Sequence, residues 1–302
     1  MDVPNQMQVR KKKKLRKKIE PFLYLLPALL FFVGFTYYPF AKTIFNSFFL
    51  VNSMGEIREF VGLENYISVL TNSAFLQTIK NTLIYVVISS PVAIFIALLL
   101  AMIANKKTKM SPLYETLYAI TMAVSMSVAA MIFQLMYNPT IGVLNYVLGT
   151  HFNWLNDKKI AMIAISLIAV WMNIGYNFLF LLSAIRGLSP ELLESADIDG
   201  ANMVQRTWKI ILPIISPTVF YLICNSLAKN MMMSGLVLIL TQGGPQGSTE
   251  TMISFMYKQS VNNLNYNDAY AAAVIAFILT GIAMAVSFSF EKKGCLLYTS
   301  DA

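Results

Sequence analysis

The sequence predicts an all-α membrane protein with six transmembrane helices, and three observations predict it. Of 302 residues, 57% are hydrophobic and only 13% charged, against roughly 25% charge in soluble domains. The mean hydropathy is +0.60, so a water-soluble globule of this composition could not cover its own surface. Several stretches also hold the ~20 apolar residues that a helix rising ~1.5 Å per residue needs to cross a hydrocarbon core. The same composition excludes a disordered chain, a collagen-like repeat and a disulfide-rich secreted scaffold. Two cysteines, Cys224 and Cys295, make no disulfide framework.

In order, the expected spans are Phe22 to Ala41, Asn81 to Ala104, Thr116 to Tyr137, Ile160 to Ile185, Ile210 to Leu240 and Ala269 to Phe290. They lack Asp, Glu, Lys and Arg, except that the fifth carries Lys229. Backbone groups in lipid must be paired within the structure, so only helices or a closed barrel can cross. A barrel needs segments of about 10 residues with alternating polarity. These runs are long and apolar on all sides, which selects helices. The first span follows a basic stretch, but it is longer than the apolar core of a signal peptide and five more spans follow. It reads as a retained helix. Pro27, Pro39, Pro91, Pro213 and Pro217 fall inside spans. Each removes a backbone donor and bends a helix, either as ordinary membrane-helix irregularity or as a hinge.

Six spans put both termini on one side. Arg10, Lys11 to Lys14 and Arg16 to Lys18 precede span one; Lys106, Lys107 and Lys109 follow span two; Arg186, Arg206 and Lys209 follow span four; Lys292 and Lys293 end the chain. Basic residues gather on the cytoplasmic side, which predicts a multi-pass cell-membrane (plasma or inner-membrane) protein with cytoplasmic N- and C-termini. A basic run can also bind nucleic acid, but directly before a membrane helix it reads as a topology anchor beside anionic lipid. The outer connections, Val51 to Lys80, Asn138 to Lys159 and Thr241 to Asp268, serve equally as plain connectors or as surfaces for an outside partner.

The inner loop after span four reads Leu188-Ser-Pro-Glu-Leu-Leu-Glu-Ser-Ala-Asp-Ile-Asp-Gly-Ala201. Ser189 suits an N-cap, Pro190 the first helical position, and Glu191 the positive helix end. Gly200 suits a C-terminal stop. A short cytoplasmic helix is expected, with Glu191, Glu194 and Asp197 on one face and Leu192, Leu193 and Ala196 offering an apolar one. So short a helix is marginal alone in water, so it packs on its own bundle, the membrane surface or a socket in a partner.

These residues resemble a known family. Glu194-Ser-Ala-x-x-x-Gly200, then Ile210-x-Leu212-Pro213, is similar to the EAA loop of ABC importer permeases. Pro190-Glu191, Asp199-Gly200-Ala201 and Trp208-Lys-Ile-Ile-Leu-Pro213 resemble the carbohydrate branch of that family. So do Thr241-Gln-Gly-Gly-Pro245 with Thr249-Glu-Thr251, Phe60-Val-Gly-Leu-Glu-Asn65, and Asn138-Pro with Gly142 and Asn145. The likeness covers about residues 15 to 290. It implies the type I importer permease fold: a basic tail over 1–20, a six-helix permease domain over 21–290 with its coupling loop at 186–213, and a tail over 291–302. It also implies that the loop helix is a coupling helix seated in an ATP-binding subunit. Glu191, Glu194, Ser195, Ala196, Gly200, Leu212 and Pro213 are then the coupling residues. Ser195 stands where the family often has Ala. The implied partners are a second permease subunit, two ATP-binding cassette subunits, an extracytoplasmic solute-binding protein and the lipid bilayer, with no nucleic acid.

The chain has no G-x-x-x-x-G-K-[ST] phosphate loop, so it is expected to be a transport subunit rather than an enzyme. ATP and Mg would be bound by the partner, with no cofactor or metal in this chain. His151 is the single histidine and reads as surface decoration. Polar groups at membrane depth usually face the bundle or a water-filled path. Asn173 and Asn177 share a face of span four, and Asn225, Lys229 and Ser226 or Asn230 do likewise in span five. They are expected to line the solute path or to bond between helices; Met231 to Met233 are expected to be packing. The solute class is a sugar, oligosaccharide or glycerol-phosphate-like compound. The rival reading is a self-sufficient secondary transporter or channel, which predicts ion-linked acidic groups that these spans almost lack. An intramembrane enzyme is disfavoured by missing catalytic pairs. Finally, Cys295-Leu-Leu-Tyr-Thr-Ser-Asp-Ala302 resembles a translated transposon adapter, so residues 295–302 are expected to be non-native.

Overall fold

The computed structural model describes residues 22, 24–105 and 108–294. The basic tail 1–20, Lys106, Lys107 and the suspected non-native end 295–302 lie outside the described residues. Among the described residues, five helices have the length and apolarity to cross a membrane: α1 (Tyr24–Asn46), α3 (Ser73–Ala104), α7 (Ala161–Arg186), α9 (Val204–Met231) and α12, whose apolar part is Tyr266–Ser289. A sixth span exists if the pair Ser111–Ala123 and Met126–Met136 is counted as one. The expected six-span helical architecture stands, with corrected boundaries.

Span two starts at Ser73 rather than Asn81, because the Asn72 side chain accepts from the Ala74 N–H at 2.9 Å and caps it. The expected single helix Thr116 to Tyr137 is broken. α4 (Ser111–Ala119) tightens into a 3-10 turn, Ile120–Ala123, and α5 (Met126–Met136) leaves at 101°. Ser125, in extended backbone, caps α5 by accepting from Val128 N–H. The expected helix Ile210 to Leu240 is also broken: α9 stops at Met231 and α10 (Gly235–Leu240) restarts after Ser234. The Met231 to Met233 run, expected to be packing, is where the chain turns.

Two prolines act in the same way. Pro39 and Pro213 each follow a π-helical stretch, Val33–Tyr37 and Thr207–Ile211, by two residues. A proline offers no N–H to the carbonyl four residues back, and its ring crowds that carbonyl. The preceding turn widens: Tyr38 N–H reaches Val33 O, and Leu212 N–H reaches Thr207 O.

The packing has a centre. In α7, 56% of the apolar window is buried, while in α1 it is 0%; α1 meets its own chain near its C-terminal end, where the Phe40 ring lies edge-on to Phe277 of α12 at 4.9 Å between centroids and Asn46 is buried. At the C-terminal ends of α3 and α7, Ala97, Ala101 and Ala104 of α3 let Phe178, Leu181 and Ile185 of α7 approach closely, and Ile211, Ile215 and Leu222 of α9 close the cluster. Toward the other end, Ile165 and Ile168 of α7 pack with Ala129 and Ala130 of α5 and Leu236 and Val237 of α10.

The connections at the membrane end opposite α8 are built, not slack. Strands β1 (Phe49–Val51) and β2 (Ile57–Phe60) pair antiparallel, followed by α2 (Glu64–Thr71). Asn65 donates to Ser47 O and Phe49 O at 2.9 and 3.0 Å. In the next connection, α6 (Val143–Leu148) ends at Gly149 with φ 64°. Asn145 donates to Asn138 O and Phe152 O and accepts from Trp154 Nε1 and Thr150 Oγ1, all within 3.2 Å. The residues that carry the family likeness in these loops are therefore loop clamps. In the third connection, Thr251 caps α11 (Met252–Tyr257) through a reciprocal box with Ser254.

Candidate functional site

The two breaks meet at one cavity of ≈ 680 Å³. Met122, Val124 and Met126 from the α4–α5 break line it, as do Met232, Ser234 and Gly235 from the α9–α10 break. The breaks are locked together: a Cβ on Gly235 would collide with the Met126 thioether, and a Cβ on Gly175 of α7 would lie 2.5 Å from Thr121 Oγ1 and 2.8 Å from Tyr118 O. The Gly175 N–H donates to Thr121 Oγ1 at 3.1 Å. Irregular backbone at membrane depth is tolerated where it lines a cavity or is buried in protein, and both conditions hold here.

The expected solute-path residues divide. Asn173 lines the cavity, with its amide donating to Ala169 O at 2.7 Å. Lys229 lines it too, its ammonium 4.6 Å from the Tyr176 ring centroid, within cation–π range. It stands in the last turn of α9. A helix C-terminus favours a cation there. Asn177 and Asn225 are not among the lining residues. Asn177 is 1% exposed, and neither of its amide atoms has a hydrogen-bond partner among the described residues. Asn230, named with Ser226 as an alternative on the polar side of span five, lines the cavity while donating to Ser89 and Ser90 Oγ of α3 at 2.9 and 2.8 Å. Sequence reasoning missed Tyr176, whose hydroxyl meets that of Tyr221 at 2.8 Å. The loop between α10 and α11 closes on the same break, with Thr251 Oγ1 donating to Met233 O at 2.7 Å.

Between α7 and α9 stands α8 (Pro190–Ile198). Glu191, Glu194 and Ser195 are exposed, and Ile198 is 86% exposed. Ala196, expected at the contact, is 4% exposed and packs into its own chain. The side chains of Pro190, Leu193 and Asp197 lie outside the described ones. Gly200 ends the helix as expected: it adopts φ 73°, and Ala201 N–H returns to Ala196 O at 3.0 Å. Leu212 and Pro213 are half-buried at the start of the straight part of α9.

Residues 7–291 match the family model for binding-protein-dependent transport system inner membrane components. This chain belongs to that family. It is the membrane-spanning permease subunit of an ATP-driven importer. The permease is 33% identical over 280 residues to the sn-glycerol-3-phosphate transport system permease protein UgpA of Agrobacterium fabrum, covering 91% of this chain and 96% of that one. It is 31% identical over 287 residues to the probable ABC transporter permease protein YurN of Bacillus subtilis, covering 92% and 98%. Its fold matches a chain in the crystal structure of a bacterial alginate ABC transporter in complex with alginate pentasaccharide-bound periplasmic protein, at TM-score 0.81 and 20% identity, covering 93% of the permease and 98% of that chain.

One further feature of the permease was not legible as a motif. Arg186, the last residue of α7, makes a two-pronged ion pair with Glu115 of α4 at 2.6 and 3.2 Å, and donates to Ala104 O at the end of α3 at 3.0 Å. One guanidinium thus ties three helix ends together immediately before α8. Arg186 entered the sequence reading only as a topology charge.

Proposed function

We propose that the permease passes a sugar, oligosaccharide or glycerol-phosphate-like solute through the cavity at the two helix breaks, and that a separate ATP-binding subunit drives it through α8. The observation that carries this reading is α8 itself. It is a short helix held between two membrane helices, with two exposed carboxylates, an exposed isoleucine and a glycine stop. So short a helix is marginal alone in water, and its exposed carboxylates and isoleucine offer a socket both charged and apolar contacts. In this reading Glu191, Glu194 and Ser195 meet the socket, Ala196 and Leu212 seat the segment on the bundle, and Gly200 and Pro213 set its turn and hinge. The full assembly is two permeases, two ATP-binding subunits that hold ATP and Mg, and an extracytoplasmic solute-binding protein. Both termini are cytoplasmic. The names of the relatives support the solute class.

The test is co-purification of the permease with its co-expressed ATP-binding subunit. Glu194→Lys together with Ile198→Asp should abolish the complex without lowering the melting temperature of the permease, since both positions are exposed. A complex that survives both changes overturns the reading. Ion-driven uptake by the permease alone would favour a self-sufficient transporter instead.

A further inference from the structure

We propose that Arg186 is a positioning residue for coupling: its ion pair with Glu115 makes α4 follow the C-terminal end of α7, so that a displacement of α8 reaches the α4–α5 break and reshapes the cavity there. This rests on the reading that an ATP-binding subunit drives the permease through α8, and it names the link by which that drive enters the broken span.

Three contacts join α4 and the turn after it to α7, and all three use one edge of α4. Glu115, Tyr118 and Thr121 follow one another at spacings of three, which puts them on one side of a helical segment. Glu115 takes both prongs of Arg186, at 2.6 and 3.2 Å. Tyr118 sets its ring edge-on to Phe178, with 5.2 Å between centroids. Thr121 accepts the Gly175 N–H at 3.1 Å. Leu113, Leu117 and Ile120, on the far side, are each more than half exposed, so among the described residues α4 is held to its own chain from one side.

Of the three contacts, the ion pair stands nearest α8. Arg186 ends α7, and Gly187, Leu188 and Ser189 alone separate it from Pro190 at the start of α8. At the other end, Glu115 lies ~11 Å along the helical segment from Met122, at about 1.5 Å per residue, and Met122 lines the cavity. A two-pronged guanidinium–carboxylate pair fixes direction as well as distance. Both side chains are 24% exposed, so salt screens the pair less than it would a surface pair. The third donation, to Ala104 O at 3.0 Å, braces the guanidinium against the end of α3. By contrast, the Tyr118 and Phe178 rings can slide past each other, and the Thr121 contact is a single bond. With the pair removed, a push on α8 still runs along α7 and α9, but the break at Ala123 to Met126 loses its firm connection to it.

The test uses the importer assembled with its own partner subunits in proteoliposomes, with Cys224→Ser and Cys295→Ser as the background. Met122→Cys reports the α4–α5 break and Met232→Cys the α9–α10 break; both positions line the cavity. A membrane-impermeant maleimide is the probe, and its labelling rate on the permease is compared without nucleotide and with a non-hydrolysable ATP analogue and Mg. Both positions should respond to the nucleotide. In Glu115→Gln and in Arg186→Met the Met122→Cys response should shrink at least about fivefold, the lower end of what one coupling link carries, while the Met232→Cys response persists. Arg186→Lys should restore part of the lost response. Glu115→Gln keeps an uncharged acceptor for Arg186, so it serves where Arg186→Met fails to fold. An unaltered Met122→Cys response in the variants, no response there in the parent, or an equal loss at both positions overturns the proposal. ATP hydrolysis by the parent assembly is measured in parallel. Its absence defeats the reading that an ATP-binding subunit drives the permease, whereas hydrolysis with a Met122→Cys response indifferent to the pair defeats only the role of Arg186.

Discussion

Gly175→Ala adds one methyl group to this chain and should damage it more than any change of that size elsewhere in the spans. The new Cβ would stand 2.5 Å from Thr121 Oγ1, 2.8 Å from Tyr118 O and 3.2 Å from Ala119 O, where ordinary contact begins at 3.4 Å. A hydroxyl can rotate away, but two of the three atoms are backbone carbonyls of the turn that breaks span three. That turn must retreat by about 0.6 Å, against a packed interior that resists displacement. It also weakens the Gly175 N–H bond to Thr121 Oγ1. Overpacking of this kind costs about 1–3 kcal/mol, or a fall in Tm of about 3–10 °C. The control is Gly281→Ala in α12, where nothing lies within 4 Å of the added Cβ; there alanine gains helix propensity of about 1 kcal/mol and Tm should not fall. The assay is thermal unfolding in detergent followed by tryptophan fluorescence, with uptake measured below the transition. Because Thr121 lines the cavity, uptake should drop even where the protein stays folded. Equal Tm and uptake for the two variants would refute the claim that α7 supports the break.

Three other outcomes follow from the same geometry. Arg186→Met removes two bonds to Glu115 and one to Ala104 O; it should lower stability by about 2–3 kcal/mol, and adding Glu115→Gln should recover part of that in the same melting assay. Asn177→Leu replaces a buried amide with no described partner by an apolar group of similar size, so stability should hold or rise by about 1–3 kcal/mol. A loss instead shows that the amide finds a partner in another state of the permease. Thr251→Ala removes both the α11 cap and the bond to Met233 O, at about 1–2 kcal/mol. Hydrogen exchange should rise first over residues 241–254, and a uniform rise would contradict the loop's role in holding the break.

Span number, helical class and the short inner helix were legible because they depend on composition and local pattern. Apolar length marks a span whether or not the helix is straight, and Ser189, Pro190 and Gly200 mark helix ends by local backbone chemistry. The breaks were not legible, because they lie inside uniformly apolar sequence. No Gly–Pro pair marks Ala123 to Met126 or Met232 to Ser234; what turns the chain there is tertiary, namely Gly175 against Thr121, Gly235 against Met126, and Thr251 bonded to Met233 O. The same cause divides the asparagines. Helical spacing placed Asn173 and Asn177 on one face, but Asn177 is packed into the interior at 1% exposure while Asn173 and Tyr176 line the cavity. Spacing could not choose between Ser226 and Asn230; both are buried, and it is the Asn230 amide that bonds across to α3.

The breaks also connect the two ends of the proposed mechanism. α8 lies between the inner ends of α7 and α9, and those two helices carry Asn173, Tyr176, Lys229 and Asn230 to the cavity. From Arg186 to Tyr176 is ~15 Å along α7, and from Leu212 to Lys229 ~25 Å along α9, at about 1.5 Å per residue. Near the inner face the two helices share a packed cluster, so they would follow α8 together as one body. Around the cavity their supports differ. α7 rests against the α4–α5 break through Gly175, whereas α9 is bonded through Asn230 to Ser89 and Ser90, beside Pro91 in α3. A push shared at one end and resisted by different partners at the other becomes a relative movement of Tyr176 and Lys229. That contact, the Lys229 ammonium 4.6 Å from the Tyr176 ring centroid, is therefore where the proposed stroke would first change the shape of the cavity.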